Sequence, residues 1–436
     1  MQRRDFLKGA AALAALPFVP KALAASATAN SEHSISALQK LTKATTVQQL
    51  VRDEVFWSYV RGFYQLPEKV IQLENGNWGV MSTPVLEEYV QQTQRVNQLS
   101  SYYSRREFYG ELKPIVTDVA QRLGCGADEI AFARGASEAL NNLISGYRHL
   151  GKGDAVMYAD VDYDSMQAAM RQRGVNVVKI NLPEQANAND YVSVYRDALR
   201  AHPQVKLLLL THLSHRHGLV LPIKEIVAMA REFGVDCIVD AAHSWGQMDF
   251  DLADLGADFV GFNLHKWMGA PIGCGVMYIK RERLVDIAPA LGDGLAFDPN
   301  KEIGKTYHRI HTGTFNYAAW LTIPKALAFH DAIGAELKAA RLRYLRDYWV
   351  SRVRDLPHLS IVADTPTGGY ATITSLRYRE QTSVDANKAL AKRLLEQHNI
   401  FSVHRTGLAQ GACVRITPST FTLTSELDTL ITALSR

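Results

Sequence analysis

Short apolar runs alternate with amphipathic stretches through the middle of the chain. The apolar runs predict strands at 129–133, 154–159, 175–180, 205–212, 235–240 and 257–262. Helical periodicity predicts helices over 137–149, 164–173 and 223–234. Strands that are apolar throughout and separated by helices are typical of a mainly parallel sheet covered on both faces. The predicted fold class is therefore α/β, with ligands expected at the carboxyl ends of the strands.

The pattern changes near Ala318. A long helical stretch to about Leu356 is followed by strands near 370–377, 400–404 and 414–417, a helix over 384–398 and a final helix. This arrangement is typical of a smaller α+β unit, and a chain of 436 residues is long enough for two or three domains. Upstream, 25–50 is predicted to be a loose leader into a helix over 47–63. The predicted boundaries are 1–24 (signal), 25–69 (leader and helix), 70–320 (large domain) and 321–436 (small domain).

The first 24 residues have the features of an export signal. A basic start is followed by an apolar run of about 11 residues and by Ala22-Leu23-Ala24, a small-x-small cleavage site. That run is shorter than the roughly 20 residues that span a bilayer. The pair Arg3-Arg4 before Asp5-Phe6-Leu7-Lys8 resembles a twin-arginine signal, which implies the twin-arginine export machinery as a partner and a periplasmic location.

Charge and apolar patterning argue against two other classes of partner. The net charge is +4, but the first 24 residues hold four basic side chains and one acidic side chain, which leaves +1 for the rest. No basic run is interleaved with aromatic residues, and no later stretch has 18 consecutive apolar residues. We therefore predict neither nucleic-acid binding nor membrane integration. The four cysteines are widely spaced and form no CxxC pair, so no metal site is predicted from them.

Polar side chains follow three successive predicted strands, at the point where each strand ends. In strand order they are Thr211, His212 and Ser214, then Asp240 and His243, then Asn263, His265 and Lys266. A buried carboxylate is costly without a cation or strong donor, and a lysine desolvated beside Trp267 can become an amine nucleophile. An aspartate for a pyridinium nitrogen and a lysine for an aldehyde are what pyridoxal 5'-phosphate needs from a protein.

Three motifs carry a resemblance to a known family. FNLHKWMGAPIGCG (262–275), VDAAHSWGQ (239–247) and RGASEALNN (134–142) occur in the order found in the class V aminotransferases, which are pyridoxal-phosphate enzymes of fold type I. Within this family the chain resembles the isopenicillin N epimerase-like branch. The resemblance covers roughly 70–436.

The resemblance implies roles for the residues in these motifs. Lys266 would be the Schiff-base lysine, with His265 near the phosphate. Asp240 would keep the pyridine nitrogen protonated, with His243 near the ring. The backbone N–H groups of Ala136 and Ser137 and the Ser137 hydroxyl would bind the phosphate, which also follows from the affinity of helix N-termini for anions.

The remaining site residues also come from the resemblance. Tyr163 would lie over the cofactor ring, and Ser214 would contact its phenolic oxygen. Thr314 in HTGTFN would reach the phosphate of a partner subunit, which implies a homodimer. Arg415 in VRIT would pair with a substrate carboxylate, and Asn77 and Trp78 would lie at the substrate mouth.

Two features distinguish the chain from the cysteine desulfurases of the family. Those enzymes carry a nucleophilic cysteine shortly before the substrate arginine, but 400–412 contains no cysteine. Cys413 lies on the same strand as Arg415, where a packed thiol is expected. THLSHRHG also departs from the Ser-Asn pattern of that branch, which leaves the role of His215 open. We therefore disfavour desulfuration.

The leading hypothesis is an exported enzyme that acts on the α-amino group of an amino acid, free or linked to a peptide or siderophore, as a transaminase or epimerase. Alternatives are a pyridoxal-phosphate lyase such as a C–S lyase, a fold relic that binds a ligand, and a metal hydrolase. The last would use His212, His215 and His217 with Asp240 and His243, although their spacing fits no common zinc pattern.

Overall fold

The computed structural model describes residues 34–290, 305–310, 313–366 and 368–435. The segment 1–24, predicted to be an export signal, lies outside them. The described chain begins with helices α1 (Ile35–Ala44), α2 (Val47–Leu50) and α3 (Glu54–Arg61).

The prediction of a loose leader is wrong for residues 35–50. Ser34 caps α1 by accepting the N–H of Ala37, and Leu38 is fully buried. The hydroxyl of Thr42 donates to the carbonyl of Ala332, so α1 is docked on the body of the protein. The helix predicted over 47–63 is divided, because the carboxylate of Asp53 caps a new helix there.

A seven-stranded sheet forms the core of the large domain. Its strands are β2 (Ile130–Ala133), β3 (Ala155–Ala159), β4 (Asn176–Ile180), β5 (Val205–Thr211), β6 (Asp236–Ala241), β7 (Phe259–Asn263) and β8 (Gly275–Ile279). Their order is β2-β8-β7-β6-β5-β3-β4, and only β8 runs antiparallel to its neighbours. The predicted mainly parallel α/β sheet is confirmed, and β8 is an element that the prediction missed.

Helices cover both faces of this sheet. They are α4 (Thr83–Arg106), α5 (Phe108–Leu123), α6 (Ala136–Gly146), α7 (Asp164–Arg171), α8 (Ala188–Ala201), α9 (Ile223–Glu232) and α10 (Leu252–Leu255). Successive side chains of β5 enter different cores: Leu208 and Leu210 belong to one cluster, and Leu207 and Leu209 to another. This two-sided burial explains why the strands are apolar throughout.

The helical stretch after Ala318 is three helices rather than one. They are α11 (Tyr317–Leu321), α12 (Ile323–Ile333) and α13 (Ala335–Val353). Pro324 lies in the first turn of α12, where its missing N–H costs nothing. Gly334 separates α12 from α13 with a φ of +91°, a conformation that favours glycine.

The small domain is an antiparallel sheet with two helices. Its elements are β9 (Leu359–Val362), β10 (Thr374–Tyr378), α14 (Val384–His398), β11 (Ile400–Phe401), β12 (Val403–Arg405), β13 (Cys413–Ile416) and α15 (Thr424–Leu434). The sheet order is β12-β13-β10-β9. The predicted strand at 400–404 is two short strands, and β9 was not predicted.

A short strand near the N-terminus joins the small domain. Strand β1 (Ile71–Gln72) pairs in parallel with β11, and the N–H of Thr417 donates to the carbonyl of Leu73. Residues 71–74, predicted to open the large domain, are thus hydrogen-bonded to the small one. This pairing brings Glu74 beside Arg415. Within the described residues, no helix combines the length and the apolar character needed to cross a bilayer.

Candidate active site

The carboxyl ends of β5, β6 and β7 meet beside the first turn of α6. Thr211 is in register with Asp240, and the Oδ1 of Asn263 accepts the N–H of Ala136 at 2.7 Å. These ends border a cavity of about 940 Å³. The predicted site residues that line it are Asn77, Trp78, Ala136, Ser137, Tyr163, Asp240, His243, His265, Lys266 and Arg415.

Lys266 forms a hydrogen-bonded pair with His243. The distance from Lys266 Nζ to His243 Nε2 is 2.9 Å, and the Nε1–H of Trp267 donates to His243 Nδ1 at 3.4 Å. Because Nδ1 accepts, the neutral imidazole carries its proton on Nε2. That proton can be donated to Lys266 only if the amine is neutral. The local geometry therefore favours a neutral Lys266.

The electrostatic surroundings act in the same direction. Burial lowers the pKa of Lys266 to about 7, although the carboxylate of Asp240 opposes this shift. Burial, followed by the charge of Lys266, also lowers the pKa of His243 well below its ordinary value. An amine that is partly neutral near pH 7 is suited to act as a nucleophile and as a proton acceptor.

Trp267→Phe tests this hydrogen-bond arrangement. The variant frees His243 Nδ1 to carry the proton, so Nε2 can accept from a charged Lys266. We expect the pKa of Lys266 to rise by about one pH unit, the value of roughly one hydrogen bond. The measurement is the rate at which cofactor-free protein combines with pyridoxal phosphate at different pH values. The acid limb of this pH–rate profile should move to higher pH in Trp267→Phe. It should stay in place in Trp349→Phe, because the indole N–H of Trp349 has no partner among the described residues. An unchanged limb in Trp267→Phe would contradict the assignment.

Asp240 is a buried carboxylate with spare hydrogen-bonding capacity. Its Oδ1 accepts the N–H of Ala242 at 2.9 Å, and burial raises its pKa. Among the described residues, no cation lies within ion-pair distance of it and no donor reaches Oδ2. A carboxylate in this state fits a protonated ring nitrogen, which would supply the missing partner.

A second carboxylate behind Asp240 was missed by the sequence analysis. Asp162 accepts the hydroxyl of Thr211 at 2.7 Å and the N–H of Ala159 at 2.7 Å. Burial raises its pKa to about 7, and the charge of Asp240 adds to this shift. Its stretch, DVDYD, looks like an ordinary polar loop in the sequence, and the burial of Asp162 is evident only in the folded structure.

The phosphate end of the predicted cofactor site lies at the first turn of α6. Ser137 lines the cavity, and no hydrogen bond within the described residues uses its N–H or its hydroxyl. The N–H of Ala136, however, already donates to Asn263. His265 Nδ1 lies 3.0 Å from the carbonyl of Cys274, which assigns the proton to Nδ1, and burial lowers the pKa of this ring to about 4.

Glycines allow two backbone segments to pack closely at this end of the cavity. A Cβ on Gly275 would lie 2.5 Å from the Cα of Gly135. The two backbones are therefore packed at a distance that only glycine permits at this position. Donors of an exposed first helical turn, held against a tightly packed loop, fit a phosphate dianion.

The other predicted residues differ in how closely they approach the cavity. Tyr163 lines it, and its ring meets that of His215 edge-on at 5.1 Å. Ser214 is fully buried and does not line it; its hydroxyl donates to Val161 and accepts from the N–H of Arg216. Thr314 is exposed and also lies outside the cavity lining. The segment HTGTFN lies partly outside the described residues, at 311–312.

Arg415 lies in the cavity wall, but it is already paired with a carboxylate of the chain, which the sequence did not predict. Its Nη2 donates to both oxygens of Glu74 at 2.5 and 2.7 Å, and its Nη1 donates to the carbonyl of His215 at 2.7 Å. Arg405 also approaches Glu74, at 3.5 Å. Glu74 was missed because nothing in the sequence indicates that residues 71–74 pair with the C-terminal region.

A second buried lysine lies directly behind the first. Lys338 of α13 donates to the carbonyl of Trp267, and its Nζ is 3.4 Å from His330 Nδ1. Burial lowers the pKa of Lys338 to about 7 from its ordinary 10.5. The carbonyl that it holds belongs to the residue next to Lys266. Lys338 therefore fixes the backbone of the loop between β7 and β8, here called the lysine loop.

Lys338→Met should flatten the dependence of stability on pH. Between pH 7 and 10.5 the unfolded chain binds a proton that folded Lys338 does not, so the free energy of unfolding rises with pH across this window. Removing the amine should lower that slope by up to about 1.4 kcal/mol per pH unit. Urea denaturation of the cofactor-free protein at a series of pH values measures it. The exposed Lys152→Met is the control, and equal slopes in all three proteins would contradict the burial of a neutral amine at position 338.

The alternative of a histidine metal cluster receives no support from the packing. The ring of His212 packs edge-on against Phe250, and His217 Nδ1 accepts the N–H of Leu219. In the part of the chain that the structure describes, no group of three or more His, Cys, Asp or Glu side chains is arranged to hold a metal. Cys413 is buried, and burial raises its pKa, so it lacks the character of a reactive thiol.

Comparison with known proteins places the chain among characterised relatives. The family model described as aminotransferase class-V matches residues 81–408, and the model of the twin-arginine translocation signal sequence matches residues 1–20. Isopenicillin N epimerase of Streptomyces clavuligerus is 25% identical over 398 residues, which cover 87% of this chain and 97% of that protein.

Solved structures show the same fold. The apo cysteine desulfurase of Thermococcus onnurineus NA1 superposes with a TM-score of 0.72 at 20% identity, covering 86% of this chain and 96% of that one. A mutant of the enzyme C-DES, with glycine covalently linked to its pyridoxal-phosphate cofactor, also gives 0.72, at 21% identity, covering 84% of this chain and 97% of that one. At these identities the likeness concerns the fold alone.

Proposed function

This chain belongs to the class V aminotransferase family, and from that premise we propose that it is an exported pyridoxal-phosphate enzyme acting on the α-amino group of an amino acid or an amino-acid moiety. The observation that carries the proposal is the Lys266–His243 pair in one cavity with Asp240. It presents a neutral amine and an unpaired carboxylate, the two groups that this cofactor requires.

The residues present fit the cofactor at both of its ends. Asp240 would hold the ring nitrogen, Lys266 would hold the aldehyde carbon, and Ser137 with the first turn of α6 would hold the phosphate. We propose Tyr163 and His243 as neighbours of the ring. When bound, pyridoxal phosphate supplies an electron sink for the carbanion left when an α-proton departs.

The chain's own residues move the proton. Once the substrate amine has displaced Lys266 from the aldehyde carbon, the neutral lysine amine would take the proton from the substrate's α-carbon. Its one lone pair accepts from the Nε2–H of His243 in this structure, so it would turn from that donor to receive the proton, and His243 holds the amine neutral until then. Asp240 keeps a negative charge where positive charge must persist on the ring nitrogen. Lys338 donates to the carbonyl of Trp267 and so keeps the lysine loop in position beside the cavity. Transfer of this proton from Lys266 to the cofactor carbon would correspond to transamination, whereas protonation of the α-carbon on the face opposite Lys266, by a second acid, would correspond to epimerisation.

Within this class we propose transamination or epimerisation. A C–S lyase is the second candidate, since relatives of this fold include cysteine desulfurases. The absence of cysteine from 400–412 and the burial of Cys413 argue against a persulfide-carrying desulfurase. The cavity of about 940 Å³ lies at the large end of ligand pockets, which supports an amino-acid moiety within a larger molecule such as a peptide or siderophore.

Incubation with candidate amino acids in deuterated water tests the reaction type. A keto acid supports transamination, whereas deuterium at the α-carbon with loss of chirality supports epimerisation. Release of a β-substituent with pyruvate supports the lyase. Mass spectrometry separates the three outcomes, and the absence of any exchange at the α-carbon across all candidates, the peptide-linked ones included, would contradict the proposed function.

We further propose a periplasmic location and a homodimer in which Thr314 approaches the partner subunit's site. The match of residues 1–20 to the twin-arginine signal supports the first. The exposed position of Thr314, outside its own cavity lining, is compatible with the second. Cell fractionation of an Arg3→Lys/Arg4→Lys variant tests export, and sedimentation of the purified protein tests assembly. Normal export of the variant, or a monomeric holoenzyme, would contradict these proposals.

A further inference from the structure

Four arginines line the active-site cavity, and three of them are already paired. Arg134 lies 2.7 Å from Glu138, Arg216 lies 2.7 Å from Asp164, and Arg415 lies 2.5 Å from Glu74. Each of these three guanidinium groups has a carboxylate within hydrogen-bond distance, so each is electrically compensated. The fourth arginine, Arg405, differs from them.

Arg405 has only a shared and distant counter-charge. Its closest carboxylate oxygen is Glu74 Oε1 at 3.5 Å, and that oxygen is already bound by Arg415. Burial, followed by repulsion from Arg415, lowers the pKa of Arg405 to about 10. Its side chain is 27% exposed, whereas that of Arg415 is 1% exposed. Arg405 is therefore an accessible cation with spare charge inside the cavity.

The backbone sets the relation between the two arginines. Val403 of β12 is in register with Arg415 of β13, so Arg405 lies two residues further along on the same face of the small sheet. Gly76 lies over the guanidinium of Arg415, since a Cβ there would be 2.4 Å from Nη2. Glu74 on one side and Gly76 on the other thus enclose Arg415.

We propose that Glu74 is a specificity-determining residue that occupies the carboxylate position of Arg415, so that Arg405 receives the carboxylate of the substrate. Both oxygens of Glu74 accept from the Nη2 of Arg415, at 2.5 and 2.7 Å, and the carbonyl of His215 accepts from its Nη1. The charge of Arg415 and the donors that would bind a substrate carboxylate are therefore already engaged within the chain. The substrate class is then an amine with a single carboxylate at this end, because one uncompensated cation remains.

This inference deepens the proposed function and rests on it for the identity of the substrate. The binding of a carboxylate by Arg405 can, however, be tested without turnover. The probe is ¹³C-labelled acetate, whose binding to the holoenzyme is followed by NMR line width. Arg405→Gln should weaken acetate binding at least about tenfold, the value of one charge-assisted hydrogen bond, and Arg405→Lys should retain part of the affinity. Glu74→Gln should tighten binding about tenfold, because Arg415 becomes free.

The double variant Glu74→Gln/Arg405→Gln sharpens the test. Acetate should bind it nearly as well as the wild type, now on Arg415. Unchanged affinity in Arg405→Gln, or weaker binding in Glu74→Gln, would overturn the inference. Glu74→Gln keeps side-chain size whereas Arg405→Gln shortens the side chain, so circular dichroism of each variant checks that the fold is intact.

A second arm separates this inference from the proposed function. L-alanine and ethylamine differ by one carboxylate, and each is added while the absorbance of the cofactor is recorded. A preference for L-alanine that disappears in Arg405→Gln supports both proposals. If neither amine changes the absorbance while acetate binding changes in the variants as expected, the proposed function is wrong and the assignment of Arg405 stands. If both amines change the absorbance while acetate binding is the same in all variants, the proposed function stands and the assignment of Arg405 is wrong.

Discussion

We expect Lys266→Ala to lower turnover at least about 10⁴-fold, because the same nitrogen is proposed to serve as nucleophile and as proton carrier. Among the described residues that line this cavity, Lys266 is the only lysine. Its partner His243 cannot replace it, since burial keeps that ring neutral and Trp267 occupies its other nitrogen. The measurement is turnover of the substrate identified by the deuterium experiment, together with the absorbance of the holoenzyme. The visible band of the bound cofactor should be lost.

Lys152→Ala is the matched control for this variant. Lys152 is exposed and lies in a turn before β3, so its loss changes the count of lysines without touching the cavity. Its turnover should equal that of the wild type. A Lys266→Ala protein that keeps turnover within tenfold of the wild type, with normal folding, would refute the role assigned to this residue.

We expect Asp240→Asn to lower kcat/KM by about 10³-fold, in the range of a removed electrostatic stabiliser. It should also change the stability of the cofactor-free protein and the stabilisation by the cofactor in opposite directions. The cofactor-free variant should be at least as stable as the wild type, because a buried carboxylate without a cation is replaced by a neutral amide. The stabilisation gained on adding pyridoxal phosphate should be smaller than in the wild type, because the ring nitrogen loses its counter-charge.

Thermal denaturation with and without pyridoxal phosphate measures both quantities, and Asp249→Asn is the exposed control. If Asp240→Asn destabilises the cofactor-free protein while the gain on adding cofactor is unchanged, Asp240 is a structural residue and not a cofactor ligand. This pattern would also remove the main support for assigning the ring-nitrogen end of the cavity.

The large domain was predictable because its strands are buried on both faces. Six apolar runs matched β2 to β7 closely, and the polar residues at the ends of β5, β6 and β7 indeed meet. Strand β8 was missed because it follows the lysine loop directly and reverses direction, which the alternation of strands and helices does not predict. Gly334 breaks a stretch whose periodicity alone predicts one helix.

The site residues that sequence reasoning missed act through long-range pairing. Glu74 reaches Arg415 only because β1 pairs with β11, more than 300 residues away along the chain. Lys338 lies in a helix rich in charged residues, where a solvated side chain is the ordinary expectation. Asp162 is likewise recognisable only once its burial is known. Chemistry at strand ends can be predicted from a sequence, whereas charge compensation between distant segments cannot.

The central claim is that Lys266 binds the cofactor covalently. Borohydride reduction of the holoenzyme, followed by proteolysis and mass spectrometry, tests it directly. One reduced pyridoxyl phosphate per chain is expected, on the peptide that contains Lys266. The adduct on the peptide of another lysine, such as Lys338, or a protein without any adduct, would contradict it.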